Sequence, residues 1–403
     1  MEATKANKSI GFGYSDILSS LLTQLDQPIS SSDGFRSMYK QMITEDETIA
    51  TALEYLTGHI VARIGSYSHE NPAIKKLVDD CIENVRGTMT DIRRAILRNS
   101  FAYGVGIGEI TIEAIESQWL LSSIQIIDPA NIKFKMGKFK DGSYRVQSIV
   151  QSTGVGADIE IPAEKCIIKT YGDNSTPYGK SLLRKCYRWW RFKNAIPKMW
   201  AKALERFGMP LLVGKASSPK VTNMLEEALE GVNTRAYLIT DKDSSVEPVY
   251  TAGGSLGDGY VEAEEMCDKM IFRSMFLPSL LNSGEKGGSY SLGQVHMNIF
   301  NVTVNALASD YIDIELEHVW RPLIEWNFGE QRSYGSFTTN EAVSADDKKT
   351  MSEMILNLSN AGVVSASVDR AWMRELLGLP EVEEGAVFPE WRVDTDATLQ
   401  KQQ

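Results

Sequence analysis

The stretch PYGKSLLRKCYRWWRFKNAIPKMWAKALERFGMP, from Pro177 to Pro210, decides how the rest of the chain is read. It holds nine Lys or Arg against one acid, Glu205, a net of +8. The whole chain stands at −11, so everything outside these thirty-four residues carries −19. Arg184, Arg188, Arg191, Lys198, Lys202 and Arg206 recur at steps of four, three, seven, four and four, which is one face of an α-helix. Leu182, Leu183, Cys186, Trp189, Trp190, Ile196, Trp200, Ala203 and Phe207 fill much of the remaining circumference. The pattern predicts one helix from Ser181 to Phe207, about 40 Å long at about 1.5 Å per residue. Pro197 removes a backbone hydrogen bond and should bend it two-thirds of the way along. A bulky, basic-striped rod inside an acidic protein suggests an element that meets many neighbours.

At 403 residues, 43% hydrophobic and 24% charged, the chain has ordinary globular composition and enough material for two or three domains. Cys81, Cys166, Cys186 and Cys267 lie far apart with no CxxC, which points to reduced thiols rather than a disulfide frame or a zinc site. The opening MEATKANKSIGFGYSD shows no basic-then-apolar export signal, and no apolar run reaches bilayer length, so no membrane partner is expected. The acidic balance argues against tight general nucleic-acid binding, which needs clustered Lys and Arg to displace counterions. It leaves room for a protein that lets DNA pass without gripping it.

Outward from the basic stretch, residues 1–30 read as a polar, Ser-rich arm. Met38 to Ile64 reads as a helix with Ile49, Leu53, Leu56 and Ile60 on one face. Asn71-Pro72 is a helix start, Asn at the cap and Pro at the first position. Ile74, Leu77, Cys81, Val85, Met89, Ile92 and Ile96 then keep a helical stripe interrupted by Gly87. Between Tyr103 and Tyr171 the period changes to short alternating runs, a β-rich subdomain of about five to seven strands. Asp141-Gly142 marks a hairpin inside it. Beyond Pro210 comes a compact α/β insertion with LLVG, AYLIT and SVEPVY as strands and Val221–Val232 as a helix. Val261–Phe276 is another helix, and a polar glycine-rich loop, NSGEKGGS, follows. A long helical stretch runs from about Ser291 to Trp326. Two punctuated helices are expected in the tail, about Asp346–Ala361 and Ser367–Gly378.

Catalytic chemistry finds no foothold. The four histidines, His59, His69, His296 and His318, lie in no metal-ligand spacing, so no catalytic residue, metal or cofactor is assigned. Gly179-Lys180-Ser181 looks like the end of a phosphate-binding loop, but six residues separate Gly172 from Gly179 where four are needed. No GxSxG elbow or dinucleotide fingerprint occurs.

In this order, several motifs resemble the portal proteins of tailed bacteriophages, the Mu-like group in particular. TEDETIATALEYL (Thr44–Leu56) resembles the group's early helix, and IPAEKCIIKTYGDNSTPYGKSLLR (Ile161–Arg184) its passage into the basic helix. WRFKNAIPKMWAKALERFGMP (Trp190–Pro210) and SYSLGQVH (Ser289–His296) are similar to two later signatures. The resemblance implies an α+β phage portal fold: a helical wing with a β-rich subdomain, a two-helix stem, a small α/β clip and a helical crown. Carried onto this chain, it gives an N-terminal arm at 1–30, a wing at 31–180 and a first stem helix at 181–207. The clip follows at 208–259, the second stem helix at 260–277 and the tunnel loop at 278–289. The wing resumes with its late helix and strands at 290–342, and 343–403 form a C-terminal crown and tail.

It further implies a homododecameric ring at one capsid vertex of the virion, made in the host cytoplasm, through which double-stranded DNA is packaged and ejected without sequence readout. Terminase large subunit, head-tail adaptor and major capsid protein would be its partners. The rival readings are another ring-forming component of a phage tail or baseplate and, further off, a cytosolic nucleic-acid-processing enzyme.

Three candidate sites follow from the residues and this frame. The stripe Arg184, Arg188, Arg191, Lys198, Lys202 and Arg206, with Trp189 and Trp200, either packs on the acidic helix of a neighbour (Glu262, Glu265, Asp268), faces DNA, or is a solvated face. Asn282, Ser283 and Lys286 in the glycine-rich loop either touch passing phosphates or sit on a surface connection. Glu226, Glu227 and Glu230 in the insertion either dock terminase and adaptor or form a solvated acidic face.

Overall fold

The structure, a computed structural model, describes residues 32–340 apart from 116, 141, 155, 174, 208–211, 217, 231–236, 242–256 and 279–289, and residues 352–357. The chain divides into two units, 1–340 and 341–403; in the second, residues 352–357 are helical. Both expected tail helices otherwise lie outside the described residues, as do SVEPVY and the glycine-rich loop.

The first helical run is two helices, α1 (Ser32–Glu45) and α2 (Glu47–Ala62), rather than one. Asp46 divides them because its carboxylate caps α2, accepting from the Ile49 backbone N–H at 2.9 Å. Ile49, Leu53, Leu56 and Ile60 are fully buried along α2, worth about 1.5–3 kcal/mol each. A short strand, β1 (Ile64–Ser68), leads to α3 (Pro72–Asn84), which starts as its sequence says: the Asn71 side chain accepts from the Ala73 N–H and Pro72 occupies the first turn. α4 (Met89–Tyr103) begins at the Thr88 cap, and Gly87 lies between the two helices. All seven residues of the predicted stripe are buried.

Six strands follow, within the expected number. β2 (Val105–Ile115) pairs antiparallel with β3 (Gln118–Ile127) and with β7 (Cys166–Thr170). β4 (Ile132–Lys138), β5 (Tyr144–Gln151) and β6 (Ile159–Pro162) make a second antiparallel sheet. Gly142 has φ +83° in the predicted β4–β5 turn, where a side chain would be strained. Val105, Ile107, Ile127, Ile132, Ile149, Ile161 and Cys166 form a small core between these strands.

The basic stretch forms two helices, α5 (Leu183–Lys193) and α6 (Ile196–Phe207). The predicted single rod, bent at Pro197, is corrected to a break at Asn194 and Ala195. Pro197 sits in the first turn of α6, where its missing N–H costs nothing, and its ring disfavours continuation of the helix before it. β8 (Leu212–Ala216), α7 (Pro219–Glu230) and β9 (Tyr237–Asp241) make a parallel βαβ unit. α8 (Asp258–Ser274) packs on α5, α6 and α2.

The long late helix is α9 (Tyr290–Glu315), a π-helical turn at Leu316–Trp320, and α10 (Arg321–Phe328). β10 (Ser336–Thr339) closes the unit by pairing antiparallel with β1. The main core gathers α2, α3, α4, α5, α8 and α9, with Trp320 and Tyr311 among its largest fully buried side chains.

Candidate functional site

The passage Pro177-Tyr178-Gly179 roots the basic helices. Gly179 has φ +58°, and a Cβ there would lie 2.2 Å from the Gly104 carbonyl oxygen, so only glycine fits. The Tyr171 N–H donates to Gly104 O at 2.8 Å, and Leu182 N–H to Phe101 O at 2.9 Å. Ser181 Oγ donates to Ala102 O at 2.6 Å and accepts from the Leu183 N–H at 3.0 Å. Tyr178 Oη accepts from the Phe134 N–H of β4 at 3.2 Å, and the Arg36 guanidinium lies 5.0 Å from the centre of its ring. Lys180 is engaged by Asp173 at 2.8 Å. The loop that looked like a phosphate cradle therefore spends its polar groups on joining α4, β4 and α5.

α5 buries Leu183, Cys186, Tyr187 and Trp190, and on the same stripe, Lys193. Its ammonium enters a cluster of carboxylates drawn from two other helices, α2 with its cap and α8. It lies 2.8 Å from Asp268 Oδ1 of α8, 2.7 Å from Glu47 Oε1 of α2, and 3.6 Å from Asp46 Oδ2. Lys193 Nζ also donates to Thr48 Oγ1 at 2.9 Å, which itself donates to Asp268 at 2.7 Å. Burial alone would lower the Lys193 pKa, but the hydrogen bonds to Asp268 and Glu47 and the charge of Asp46 hold it above the ordinary lysine value. Burial pushes Asp46 up, against its bond from Ile49 and the pull of Lys193. The hydrogen bond from Lys193 holds Glu47 down.

A second buried pair locks the π turn. Arg93 of α4 donates from Nε and Nη2 to both oxygens of Glu315, at 2.9 and 2.8 Å, and Trp320 Nε1 donates to Glu315 Oε1 at 2.9 Å. The sequence reading named neither cluster. The available signal for Lys193 was a lysine at the next step of the apolar stripe Leu183, Cys186, Trp190.

The predicted site residues are placed as follows. Arg184 and Arg188 are exposed on α5, and Arg191 is half-buried with its guanidinium 6.0 Å from the Tyr187 ring centre. Lys198 and Lys202 are exposed on α6, Trp189 packs half-buried against the core, and Trp200 is exposed. Glu262 and Glu265 are exposed on α8, whereas Asp268, expected to meet a neighbour, is held by Lys193 of its own chain. Glu226, Glu227 and Glu230 lie on α7. The side chains of those three and of Arg206 fall outside the described residues, as do Asn282, Ser283 and Lys286. Among the described residues no group of three or more His, Cys, Asp or Glu is placed to hold a metal ion, and no helix is long and apolar enough to cross a membrane.

The chain matches the family described as portal protein of Mu bacteriophage over residues 36–379. Among solved structures it is similar to a chain in the neck of an empty GTA particle computed with C6 symmetry. That match has TM-score 0.57 and 13% identity, covering 85% of this chain and 94% of the other. A chain in the neck of the native GTA particle computed with C12 symmetry gives TM-score 0.56 at 12% identity, over 91% and 99% of the two chains. One from the virion of the native gene transfer agent particle gives 0.55 at 13%, over 91% and 99%. At these identities the likeness is one of fold: the α+β architecture is shared along nearly the whole length of those chains.

Proposed function

The chain belongs to the Mu bacteriophage portal protein family, and from that premise we propose that twelve copies form a ring at one vertex of the phage head, through which double-stranded DNA enters and leaves. The match over residues 36–379 carries this reading, because it takes in the helices, both sheets, the basic helices and the βαβ insertion together. The C12 symmetry of the similar GTA neck supports the ring number.

In this reading the wing is α1–α4, the six central strands and the α9–α10 helix, and α5, α6 and α8 make the stem. The βαβ unit is the clip. Its acidic residues Glu226, Glu227 and Glu230 dock the terminase large subunit during packaging and the head-tail adaptor afterwards. The loop at 278–289, with Asn282, Ser283 and Lys286, meets DNA in the channel. Two sparse polar groups and one lysine per copy suit transient phosphate contact, since firm gripping would stall the duplex. The wing faces the major capsid protein. The chain does no chemistry of its own, and the energy for packaging comes from a separate ATPase.

Antibody labelling of intact particles tests the proposal. Label at a single vertex, with empty heads when the chain is withheld, supports it. Label along the tail, or full heads without the chain, contradicts it.

A further inference from the structure

β4 and β5 run on together past the end of their three-stranded sheet. β6 pairs only with Ser148–Gln151 of β5, so among the described residues Met136–Lys138 and Tyr144–Val146 pair with each other and with no third strand. Three residues at about 3.3 Å each carry this ribbon about 10 Å beyond the sheet. The turn that closes it is tied by the Phe139 N–H donating to Ser143 O at 2.9 Å. None of the described residues from 136 to 147 is buried, and Tyr144 is 68% exposed. A two-stranded ribbon with no covered face is marginal in water on its own.

The charge on the ribbon names its partner. Residues 133–145, KFKMGKFKDGSYR, hold Lys133, Lys135, Lys138, Lys140 and Arg145 against Asp141, a net of +4 in a chain of −11. Lys135 is engaged by Glu160 of β6. Lys133, Lys138 and Lys140 have no ion-pair partner among the described residues. Arg145 Nε donates to Ser143 Oγ at 2.7 Å, and its guanidinium lies 4.9 Å from the Phe139 ring centre. Cross-strand pairing sets Lys138 beside Tyr144 on one face and Arg145 beside Gly137 on the other, with Lys140 in the turn. A protein interface would bury one apolar centre and border it with charge. Here the cations surround the tip, with aromatic rings between them. That suits a groove walled by phosphates on both sides, and the DNA major groove, about 12 Å wide and about 8.5 Å deep, admits a two-stranded ribbon.

We propose that this ribbon binds the backbone of duplex DNA, with Lys138, Lys140 and Arg145 on phosphates and no base readout. It goes beyond the ring reading, which sets DNA against the loop at 278–289, and it stands without a ring because all three cations belong to one copy. Three phosphates make a weak, salt-sensitive contact: counterion release gives log affinity against log salt a slope of about −2.7.

The test titrates the full chain against a fluorescently labelled duplex of mixed sequence, read by anisotropy between about 50 and about 200 mM salt. Lys138→Ala with Lys140→Ala and Arg145→Ala, at exposed positions and checked for native circular dichroism, should make the slope shallower by about 2.7. Lys138→Arg with Lys140→Arg should keep the wild-type slope. So should the loss of three exposed lysines elsewhere, Lys75→Ala with Lys76→Ala and Lys202→Ala. A tip variant with the wild-type slope, or one matched by the variant lacking the other three lysines, overturns the proposal. A wild-type chain that binds no duplex at the lowest salt does the same. A tip variant that keeps the duplex but loses poly-glutamate assigns the ribbon to an acidic protein and overturns the DNA contact. A wild-type chain that stays monomeric while its tip variant loses the slope overturns the ring reading and leaves the ribbon contact standing.

Discussion

Replacing Lys193 by methionine keeps the length and apolar stem of the side chain but deletes the cation on which the buried Asp46 and the half-buried Asp268 depend. The Lys193 side chain is 8% exposed, Asp46 3%, Asp268 21% and Glu47 76%. Asp46 and Asp268 are therefore the groups stranded, and loss of the charge should cost about 3–5 kcal/mol. At about 1.2 °C per kcal/mol in a chain of this size, that is a fall in Tm of about 4–6 °C. Thermal unfolding followed by circular dichroism, at one protein concentration and pH 8, reads it directly. Glu47→Gln, at a solvent-screened position, should cost under about 1 kcal/mol. Lys193→Met combined with Asp46→Asn and Asp268→Asn should regain most of the loss, because neutral amides need no counter-charge and Asn caps a helix as well as Asp does. A Lys193→Met protein melting within about 1 °C of wild type would refute the claim that this cluster joins α2, α5 and α8.

The same cluster predicts a pH dependence whose sign follows from the directions of the shifts. Lys193 has its folded pKa raised, so its contribution is complete below the ordinary lysine value near about 10.4 and is lost as pH rises through the folded value. Asp46 is raised too, and an acid so shifted loses stability as pH climbs from about 3.9 through its folded pKa. Without the lysine that loss steepens, so the Lys193→Met deficit should be smaller at pH 5 than at pH 8, as melts at both will show. Glu315→Gln leaves Arg93 buried against a neutral amide and should cost about 3–5 kcal/mol, measured by urea unfolding; a change below about 1 kcal/mol would mean the pair is not what fixes the π turn. Gly179→Ala forces a Cβ to within 2.2 Å of the Gly104 carbonyl at a left-handed φ, and should abolish soluble expression or raise protease sensitivity throughout α5, whereas Lys180→Ala should do neither.

Much of the fold is legible in the sequence because the apolar stripes are regular. Ile49, Leu53, Leu56 and Ile60, and the run from Ile74 to Ile96, are buried as their spacing requires. Asn71-Pro72 starts α3 where its cap chemistry says it should. The boundary errors have local causes. Asp46 reads as one more polar residue in a helical run until its carboxylate is seen to cap α2, and Pro197 reads as a kink although it sits in the first turn of a new helix. The ion clusters were hidden for a different reason. Their members, residues 46, 193 and 268, and 93 and 315, come together only after the long-range packing is done. The basic stripe shows the limit most clearly. Spacing put six cations on one helix, but the fold divides them between α5 and α6.

A projection image of the purified chain viewed down its symmetry axis tests the central claim most directly. The account predicts a closed ring of twelve copies with an open axial hole wide enough for a DNA duplex. A monomer, or a closed particle with no hole, would contradict it.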